Sequence, residues 1–253
     1  MNRRRSVVLK SPREIDLMYG ANQHVAEILA LMCEAAVPGI STWDLDQIAR
    51  AELKKRKLRS PFLGYYEYPA TVCASINEEI VHGIPRQDKV LCEGDIIGID
   101  FGVIYKGYVG DSARTIAVGE IAAEHQELID TTQAALDAAI ALCTPEHRLS
   151  DIGRIVQSMA EAKGYGVVRE FVGHGIGTRM HEDPQVLNYY DGPKPRMRPG
   201  LVIAIEPMLN LGTHKVRVLA DNWTAVTEDG AWSAHFEDSV AITEAGPRVL
   251  SRL

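Results

Sequence analysis

Four carboxylates in this sequence stand where an apolar strand would otherwise continue. Asp100 and Glu206 each end an apolar run, Asp111 follows Asp100 by 11 residues, and Glu237 follows His235 and Phe236. A buried carboxylate without a cationic partner either takes up a proton or destabilises the fold. A single such acid ordinarily lies at an exposed strand end or pairs with a basic residue in a salt bridge. Four of them together predict a positively charged partner that they share.

His174 adds an imidazole to this set, because Gly173, Gly175 and Gly177 leave the backbone around it free to bend. Four carboxylates with one neutral imidazole carry a formal charge of about −4, which two divalent cations neutralise and one does not. An oxygen-rich set with one nitrogen suits Mn, Fe(II) or Co better than the thiolate sites of structural zinc.

Composition limits the classes of protein to which these residues can belong. The chain has 253 residues, of which 46% are hydrophobic and 24% charged, so it has enough apolar residues for a folded core. The net charge of −7 gives no general attraction to nucleic acid or to an anionic membrane. The apolar run near the N-terminus is too short for a signal peptide, and no run approaches the roughly 20 residues of a membrane span. We therefore expect a soluble, cytoplasmic protein.

The four cysteines point to the same compartment, because they are far apart and form no Cys-x-x-Cys pair. This spacing argues against both a zinc ribbon and a disulfide scaffold.

The pattern of apolar residues and breaks predicts four helices and at least seven strands. Ser11 and Glu14 form a predicted capping box around Pro12, and Ser150-Asp151 marks the start of the fourth helix. The predicted helices span 12–37, 42–58, 122–143 and 150–164, and the predicted strands span 71–76, 90–105, 108–118, 167–172, 201–209, 224–227 and 239–243.

This order contains a weak repeat of a helix, a proline break, a serine-capped helix and a sheet. It indicates either a structural duplication or a chance recurrence of capped helices. A duplication would give one α+β unit whose two sheet halves meet at a pseudo-twofold axis, with a cleft between them. No linker divides the halves, so we predict a single domain over 11–253 after a short N-terminal extension over 1–10.

Six motifs, in this order and spacing, resemble those of the type I methionine aminopeptidases over the chain from Lys10 onward. They are Asn77-Glu78-Glu79-Ile80-Val81-His82-Gly83-Ile84-Pro85, Gly94-Asp95-Ile96-Ile97-Gly98-Ile99-Asp100, Gly110-Asp111, Gly173-His174-Gly175-Ile176-Gly177, His181-Glu182-Asp183-Pro184 and Ile205-Glu206-Pro207. The resemblance implies the pita-bread α+β fold, an antiparallel sheet of two pseudo-symmetric halves covered by helices. It also implies a hydrolase that removes the initiator methionine from nascent chains with a small second residue.

Carried over residue by residue, the resemblance implies a dinuclear site. Asp111 and Glu237 would bridge two divalent ions, Asp100 would bind one ion, and His174 with Glu206 would complete the other. A hydroxide held by the two ions would attack the first peptide bond. Glu206 would also take the proton of the attacking water and pass it to the leaving amine.

The resemblance further implies two catalytic histidines and an apolar pocket beside the metals. His181 would stabilise the oxyanion and His82 would contact the scissile amide. The walls of the methionine pocket would be Tyr65, Tyr68, Cys73 and Trp223. Phe62 stands where many relatives have cysteine, and Met180 where an aromatic residue or histidine is frequent. Ordinary core packing is the alternative interpretation of each wall residue.

Several alternatives remain beside this interpretation. Only 32 residues separate His174 from Glu206, which leaves little room for the insertion that marks type II enzymes. An Xaa-Pro aminopeptidase-like enzyme usually carries a whole domain before the first helix, and a non-catalytic binding protein of the same fold would lack some ligands. The glycines around His174 do not open a helix, so a dinucleotide site is not predicted.

The basic run Lys54-Lys55-Arg56-Lys57 is either a solvated helix end or, together with Arg3-Arg4-Arg5, a contact for ribosomal RNA. A monomer is the default expectation, and nascent polypeptide N-termini are the expected partners.

Overall fold

The computed structural model describes residues 7–253, so the arginines at positions 3–5 lie outside the described part. Helix α1 (Pro12–Ala35) begins at the predicted capping box: the Ser11 hydroxyl accepts the Glu14 N–H at 3.4 Å, and the Glu14 carboxylate accepts the Ser11 N–H at 2.8 Å. Helix α2 (Thr42–Arg56) starts with a second capping box. Both predicted starts are confirmed.

Helices α3 (Ala123–Ala141) and α4 (Leu149–Ala162) form the second helical pair. The predicted start of α4 at position 150 was one residue too late, because the helix begins at Leu149 and Arg148 precedes its first turn. The Asp151 carboxylate accepts the Arg148 N–H at 2.8 Å, which stabilises the earlier start. Ser150 is buried within the first turn.

Eight strands form one antiparallel sheet in the order β1-β3-β4-β13-β8-β6-β7, with β14 pairing along β13. Two further sheets have three strands each, in the orders β10-β11-β2 and β12-β9-β5. The strands are β1 (Val72–Ile76), β2 (Glu79–Val81), β3 (Ile96–Tyr105), β4 (Tyr108–Ala117), β5 (Gly166–Val167), β6 (Gly173–Gly175), β7 (Glu182–Val186), β8 (Val202–Ile205), β9 (Met208–Asn210), β10 (Val216–Val218), β11 (Ala225–Thr227), β12 (Ser233–His235), β13 (Glu237–Thr243) and β14 (Gly246–Val249).

Three of the predicted strands were too long. The strand over 90–105 begins only at Ile96, because Gly94 adopts a φ of 96° in a turn that precedes it. The strand over 201–209 is divided at Pro207, which has no N–H to donate. The strand over 167–172 shrinks to β5.

Each half of the main sheet carries its own helical pair and its own core. Helices α1 and α2 pack through residues such as Ile28 and Leu45 on the face of β1 and β3 that includes Ile99. Helices α3 and α4 pack in the same way on β8 and β13, through Leu136 and Val240 among others. The halves join where β4 pairs with β13, as the predicted duplication requires.

Lys10, the last residue of the predicted N-terminal extension, is 6% exposed and packs against the folded chain. Within residues 7–253 no helix is long and apolar enough to cross a membrane. All four cysteines are free thiols.

Candidate metal centre and adjoining pocket

Strand pairing aligns three of the predicted metal ligands on one face of the sheet. Asp100 and Glu237 are both paired with Ala113 of β4, one from each side, and Asp111 is paired with Gly102 two residues beyond Asp100. Directly paired residues point to the same face of a sheet, and so do residues two apart on one strand. Asp100, Asp111 and Glu237 therefore share the face opposite the helices.

The other two predicted ligands reach the same face from the second half. His174 is paired with Ala204, two residues before Glu206, and Ala204 is paired with Ser239, two residues after Glu237. The five predicted ligands thus meet on one face where the two halves join. Strand pairing thus brings together four segments of the chain that are far apart in the sequence, and Glu206 follows directly after the end of β8.

Ligand atoms of Asp111, His174 and Glu237 all lie within 4.8 Å of one another, which is close enough to hold one ion. The His174 Nε2 atom lies 3.6 Å from Glu206 Oε1. Asp100 and Glu206 are not part of the tight triad, but both line the same cavity.

Burial changes the ionisation of all four carboxyl groups. Desolvation raises the pKa of Asp100 to about 7. Desolvation, reinforced by the other nearby carboxylates, holds the pKa values of Asp111, Glu206 and Glu237 well above their usual range. Like charges this close resist simultaneous ionisation. Without a cation, the four carboxyl groups therefore do not all ionise together near neutral pH.

Several polar atoms of this cluster also lack partners. Asp100 Oδ1, Asp111 Oδ1 and Glu237 Oε1 are buried and have no hydrogen-bond partner among the described residues. Buried polar atoms in folded proteins are nearly always paired, so an unpaired group needs an explanation such as an ion. The donor set and its unpaired oxygens fit divalent cations.

The backbone of the ligand strands is fixed by neighbouring polar side chains. Asn22 of α1 accepts the Asp111 N–H at 3.2 Å, and the Ser239 hydroxyl donates to the Asp111 carbonyl at 3.0 Å. The Asn188 amide donates to the Glu206 carbonyl at 2.9 Å. These contacts hold the ligands in place without occupying their carboxylates.

The two predicted catalytic histidines line the same cavity. The His181 ring lies 4.4 Å from the His174 ring, and its Nδ1 atom is 2.7 Å from the Tyr65 hydroxyl. Burial lowers the pKa of His181, and burial together with His181 lowers the pKa of His82 to about 4. Both rings are therefore neutral near pH 7, when each can donate one hydrogen bond.

An apolar pocket adjoins the carboxylates within a cavity of about 690 Å³. Tyr68, Cys73 and Trp223 form its packed wall, with the Tyr68 and Trp223 rings 4.9 Å apart and edge to face. Tyr65 lies at the side nearest His181. The structure thus brings together the four predicted wall residues. Phe62 and Met180, the two predicted departures, line it as well, as do Ile84 and Phe171, which the sequence did not single out.

One residue near the carboxylates was missed by the sequence analysis. His235 is 4% exposed, and its unpartnered Nε2 lies 3.9 Å from Glu206 Oε2. Burial lowers the pKa of His235 to about 3, so the ring is neutral. Its position two residues before Glu237 was the available signal, although His235 ends β12 and Glu237 begins β13.

The basic run at the end of α2 is partly neutralised by acids. Lys55 lies 2.8 Å from Glu52, and Arg56 pairs with both Glu52 and Glu27. Lys54 and Lys57 are exposed.

A cleft between two pseudo-symmetric α+β halves, lined by buried carboxylates and histidines, defines a metal-dependent hydrolase. The sequence profile of metallopeptidase family M24 matches residues 16–244. The chain therefore belongs to metallopeptidase family M24 and has its pita-bread fold.

Three proteins similar to this chain indicate where it lies within that family. A methionine aminopeptidase from Clostridium acetobutylicum is 46% identical over 246 residues, which cover 97% of this chain and 98% of that protein. The crystal structure of a methionine aminopeptidase from Thermotoga maritima superposes with a TM-score of 0.96 at 40% identity, covering 98% of this chain and all of that one. An Xaa-Pro dipeptidase from Bacillus anthracis gives a TM-score of 0.77 at 23% identity, with coverage of 97% of this chain but 62% of that one. This last likeness shows the shared fold alone.

Proposed function

We propose that this protein is a type I methionine aminopeptidase, which hydrolyses the peptide bond after an N-terminal methionine when the second residue is small. The observation that carries this proposal is the set of unpaired buried carboxylates directly beside an aromatic pocket. The near full-length similarity to proteins named methionine aminopeptidase supports the same substrate.

Asp100, Asp111, His174, Glu206 and Glu237 are the proposed ligands of two divalent ions, with Co, Mn and Fe(II) as the candidate metals. Two such ions would neutralise the four carboxylates, polarise the scissile carbonyl and make a bound water acidic enough to ionise near pH 7. The short distances among Asp111, His174 and Glu237 support this assignment.

Glu206 is the proposed general base and acid. Its carboxylate lies close to His174 and His235, whose neutral rings supply no positive charge to hold it ionised. Desolvation holds the pKa of Glu206 well above its usual range. Beside the positive charge of the two ions Glu206 would ionise, and its carboxylate would then take a proton from the attacking water and return it to the leaving amine.

His181 and His82 are the proposed partners of the scissile amide. As neutral donors they can hydrogen-bond the carbonyl oxygen as it gains negative charge and the amide beside it. The Tyr65 hydroxyl bonds the Nδ1 atom of His181, so this contact restricts the orientation of the ring.

The pocket lined by Tyr65, Tyr68, Cys73 and Trp223 is the proposed site for the methionine side chain. A thioether packs favourably against the edges and faces of aromatic rings. Phe62 and Met180 complete the apolar part of this lining.

Cleavage of Met-Ala-Ser tests this function directly. The metal-loaded protein should release free methionine, whereas the metal-free protein should not. Two peptides separate the alternatives: faster cleavage of an Ala-Pro peptide would favour the Xaa-Pro enzyme, and binding of Met-Ala-Ser without cleavage would favour a non-catalytic protein.

We further propose a cytoplasmic monomer that meets nascent chains at the ribosome through the basic run. Because Lys55 and Arg56 are paired with acids, Lys54 and Lys57 supply most of the free charge. The double variant Lys54→Glu/Lys57→Glu should reduce cosedimentation with ribosomes at low salt. Unchanged cosedimentation would contradict this contact, and gel filtration tests the monomer.

A further inference from the structure

An ion pair between Lys10 and Glu182 is buried beside the metal centre. Lys10 Nζ lies 2.7 Å from Glu182 Oε2, and the two side chains are only 4% and 5% exposed. In the described part of the chain, no other ion pair has both side chains this deeply buried. Burying two charges is costly, and such pairs are often no more stabilising than apolar residues. The pair therefore invites an explanation beyond stability.

The pair joins the segment before α1 to the β6–β7 hairpin. Lys10 is fixed by its own N–H, which donates to the Gly200 carbonyl at 2.6 Å, and its ammonium also donates to the Val8 carbonyl at 3.1 Å. On the other side, Glu182 Oε1 accepts the Arg179 N–H at 3.3 Å. One carboxylate thus binds both the N-terminal segment and the hairpin loop.

This loop carries His181. It spans 176–181, between β6 with His174 and β7, which begins at Glu182. His181 is therefore the residue directly before the buried carboxylate. Other contacts also support the loop: the Ile176 N–H donates to the Val202 carbonyl at 3.2 Å, and the Gly177 carbonyl accepts the Val109 N–H at 2.8 Å. The ion pair is the support directly beside His181 that ties the loop to the N-terminal segment.

Gly177 shows how closely the pair fits against the loop. A Cβ atom at this position would lie 2.7 Å from both Lys10 Cε and Glu182 Oε1. Carbon atoms do not approach so closely, so a side chain there would displace the two charged groups. The third glycine of the Gly-His-Gly-Ile-Gly motif thus makes room for the ion pair.

We propose that Lys10 and Glu182 are positioning residues, which hold the loop so that His181 faces the reacting amide. This inference rests on the proposed function of His181. A misplacement of about 1 Å in a catalytic group can cost about 100-fold in rate. Loss of the pair should therefore lower kcat and leave metal content unchanged, because the proposed metal ligands lie outside the loop. KM should change less than kcat, because Met180 is the loop residue that lines the methionine pocket.

The neutral double variant Lys10→Met/Glu182→Gln tests the proposal, because it removes the pair without leaving an unpaired buried charge. We expect kcat for Met-Ala-Ser to fall about 10- to 100-fold, with a smaller change in KM and an unchanged metal content. In a His181→Ala background, the same double variant should cause no further loss. Lys163→Met/Glu127→Gln, which removes an exposed Lys–Glu pair, is the matched control and should keep the wild-type kcat.

Gly177→Ala is a second variant that displaces the pair but keeps both charges. It should lower kcat in the same way, again only when His181 is present. In the metal-free protein, amide hydrogen exchange over 176–181 should accelerate in both variants and remain slow in the Lys163→Met/Glu127→Gln control. This exchange readout does not depend on activity.

A kcat within twofold of wild type for the neutral double variant would overturn the inference, as would an equal loss of rate with and without His181. Unchanged hydrogen exchange over 176–181 would also overturn it. If His181→Ala alone kept the wild-type kcat, the proposed role of His181 would fail first, so the two failures are distinguishable.

Discussion

Glu237 and Asp238 are adjacent in β13, yet they have opposite surroundings. Both are buried, at 3% and 0% exposure, and they point to opposite faces of the sheet. Asp238 accepts hydrogen bonds of 2.7 Å from Arg114, Arg252 and Ser251. Glu237 has a buried oxygen without a partner among the described residues and faces other acids.

Asp238 thus has its hydrogen-bond and charge partners within the fold, whereas Glu237 keeps an oxygen atom available for a ligand. On the helix side, two guanidinium groups compensate Asp238, so that carboxylate is part of the structure. On the cavity side, Glu237 stands among carboxylates that raise one another's pKa values. The same residue chemistry thus serves stability on one face and the proposed metal binding on the other.

Neutralising Glu237 should produce the largest effect. Glu237→Gln keeps the shape of the side chain but removes a charge from the proposed ligand set, so it should weaken metal binding and lower kcat by about 1,000-fold. Metal analysis and turnover of Met-Ala-Ser check this. An active variant with full metal content would break the contrast with Asp238.

Removing His181 should affect rate without affecting metal content. His181→Ala deletes a donor to the developing oxyanion, and such a loss typically costs about 100- to 1,000-fold in turnover. The variant should bind metal as the wild type does. If the metals were lost instead, His181 would belong with the ligands, and its proposed role would be wrong.

Neutralising Asp238 should reduce stability rather than activity. Asp238→Asn leaves Arg114 without its carboxylate partner and Arg252 with Asp137 alone, and because both arginines are partly exposed we expect a cost of about 2 to 3 kcal/mol in the free energy of unfolding. Urea denaturation measures this cost. Metal content per folded molecule should be unchanged, and its loss would show that the two faces are not independent.

The pH dependence of stability should be the smallest of these effects. The cavity carboxyls should make stability fall as pH rises, whereas a salt-bridged acid makes it rise. The pKa values of the cavity carboxyls are higher in the folded protein than in the unfolded chain. Their contribution to the free energy of unfolding is therefore fully present below about pH 4, and it is lost as pH rises through about 7, the pKa of Asp100. Burial lowers the pKa values of His82, His174 and His235 to about 4, 3 and 3, and neutral buried histidines add the opposite trend up to about pH 6.5. The Tm of the metal-free protein should therefore fall between about pH 7 and pH 8, where the carboxyl trend remains by itself. Bound metal should abolish this trend, and a Tm of the metal-free protein that rose over this range would contradict the assigned pKa directions.

Local signals explain which parts of this fold the sequence predicts. The starts of α1 and α2 depend on a serine and an acid three residues apart, so a short window of sequence contains them. Asp100 and Glu206, two of the proposed ligands, were recognisable because each ends an apolar run. Strands such as β5 and β6, of two and three residues, form only through long-range pairing, and no local pattern marks them.

The unanticipated parts of the site depend on contacts between distant residues. Lys10 and Glu182 are 172 residues apart, and neither has a local feature that indicates burial. His235 was detectable only through its place two residues before Glu237, at the end of a different strand. The resemblance to a known family supplied the roles of the histidines, which spacing alone did not give.

The central claim is that five side chains from both halves together bind two divalent ions. Metal analysis of the protein, reconstituted from the metal-free form and freed of excess ion, tests it directly. We expect two ions per wild-type chain, clearly fewer for Glu237→Gln and two for Asp238→Asn. Equal metal content in all three, or no retained metal in the wild type, would contradict it.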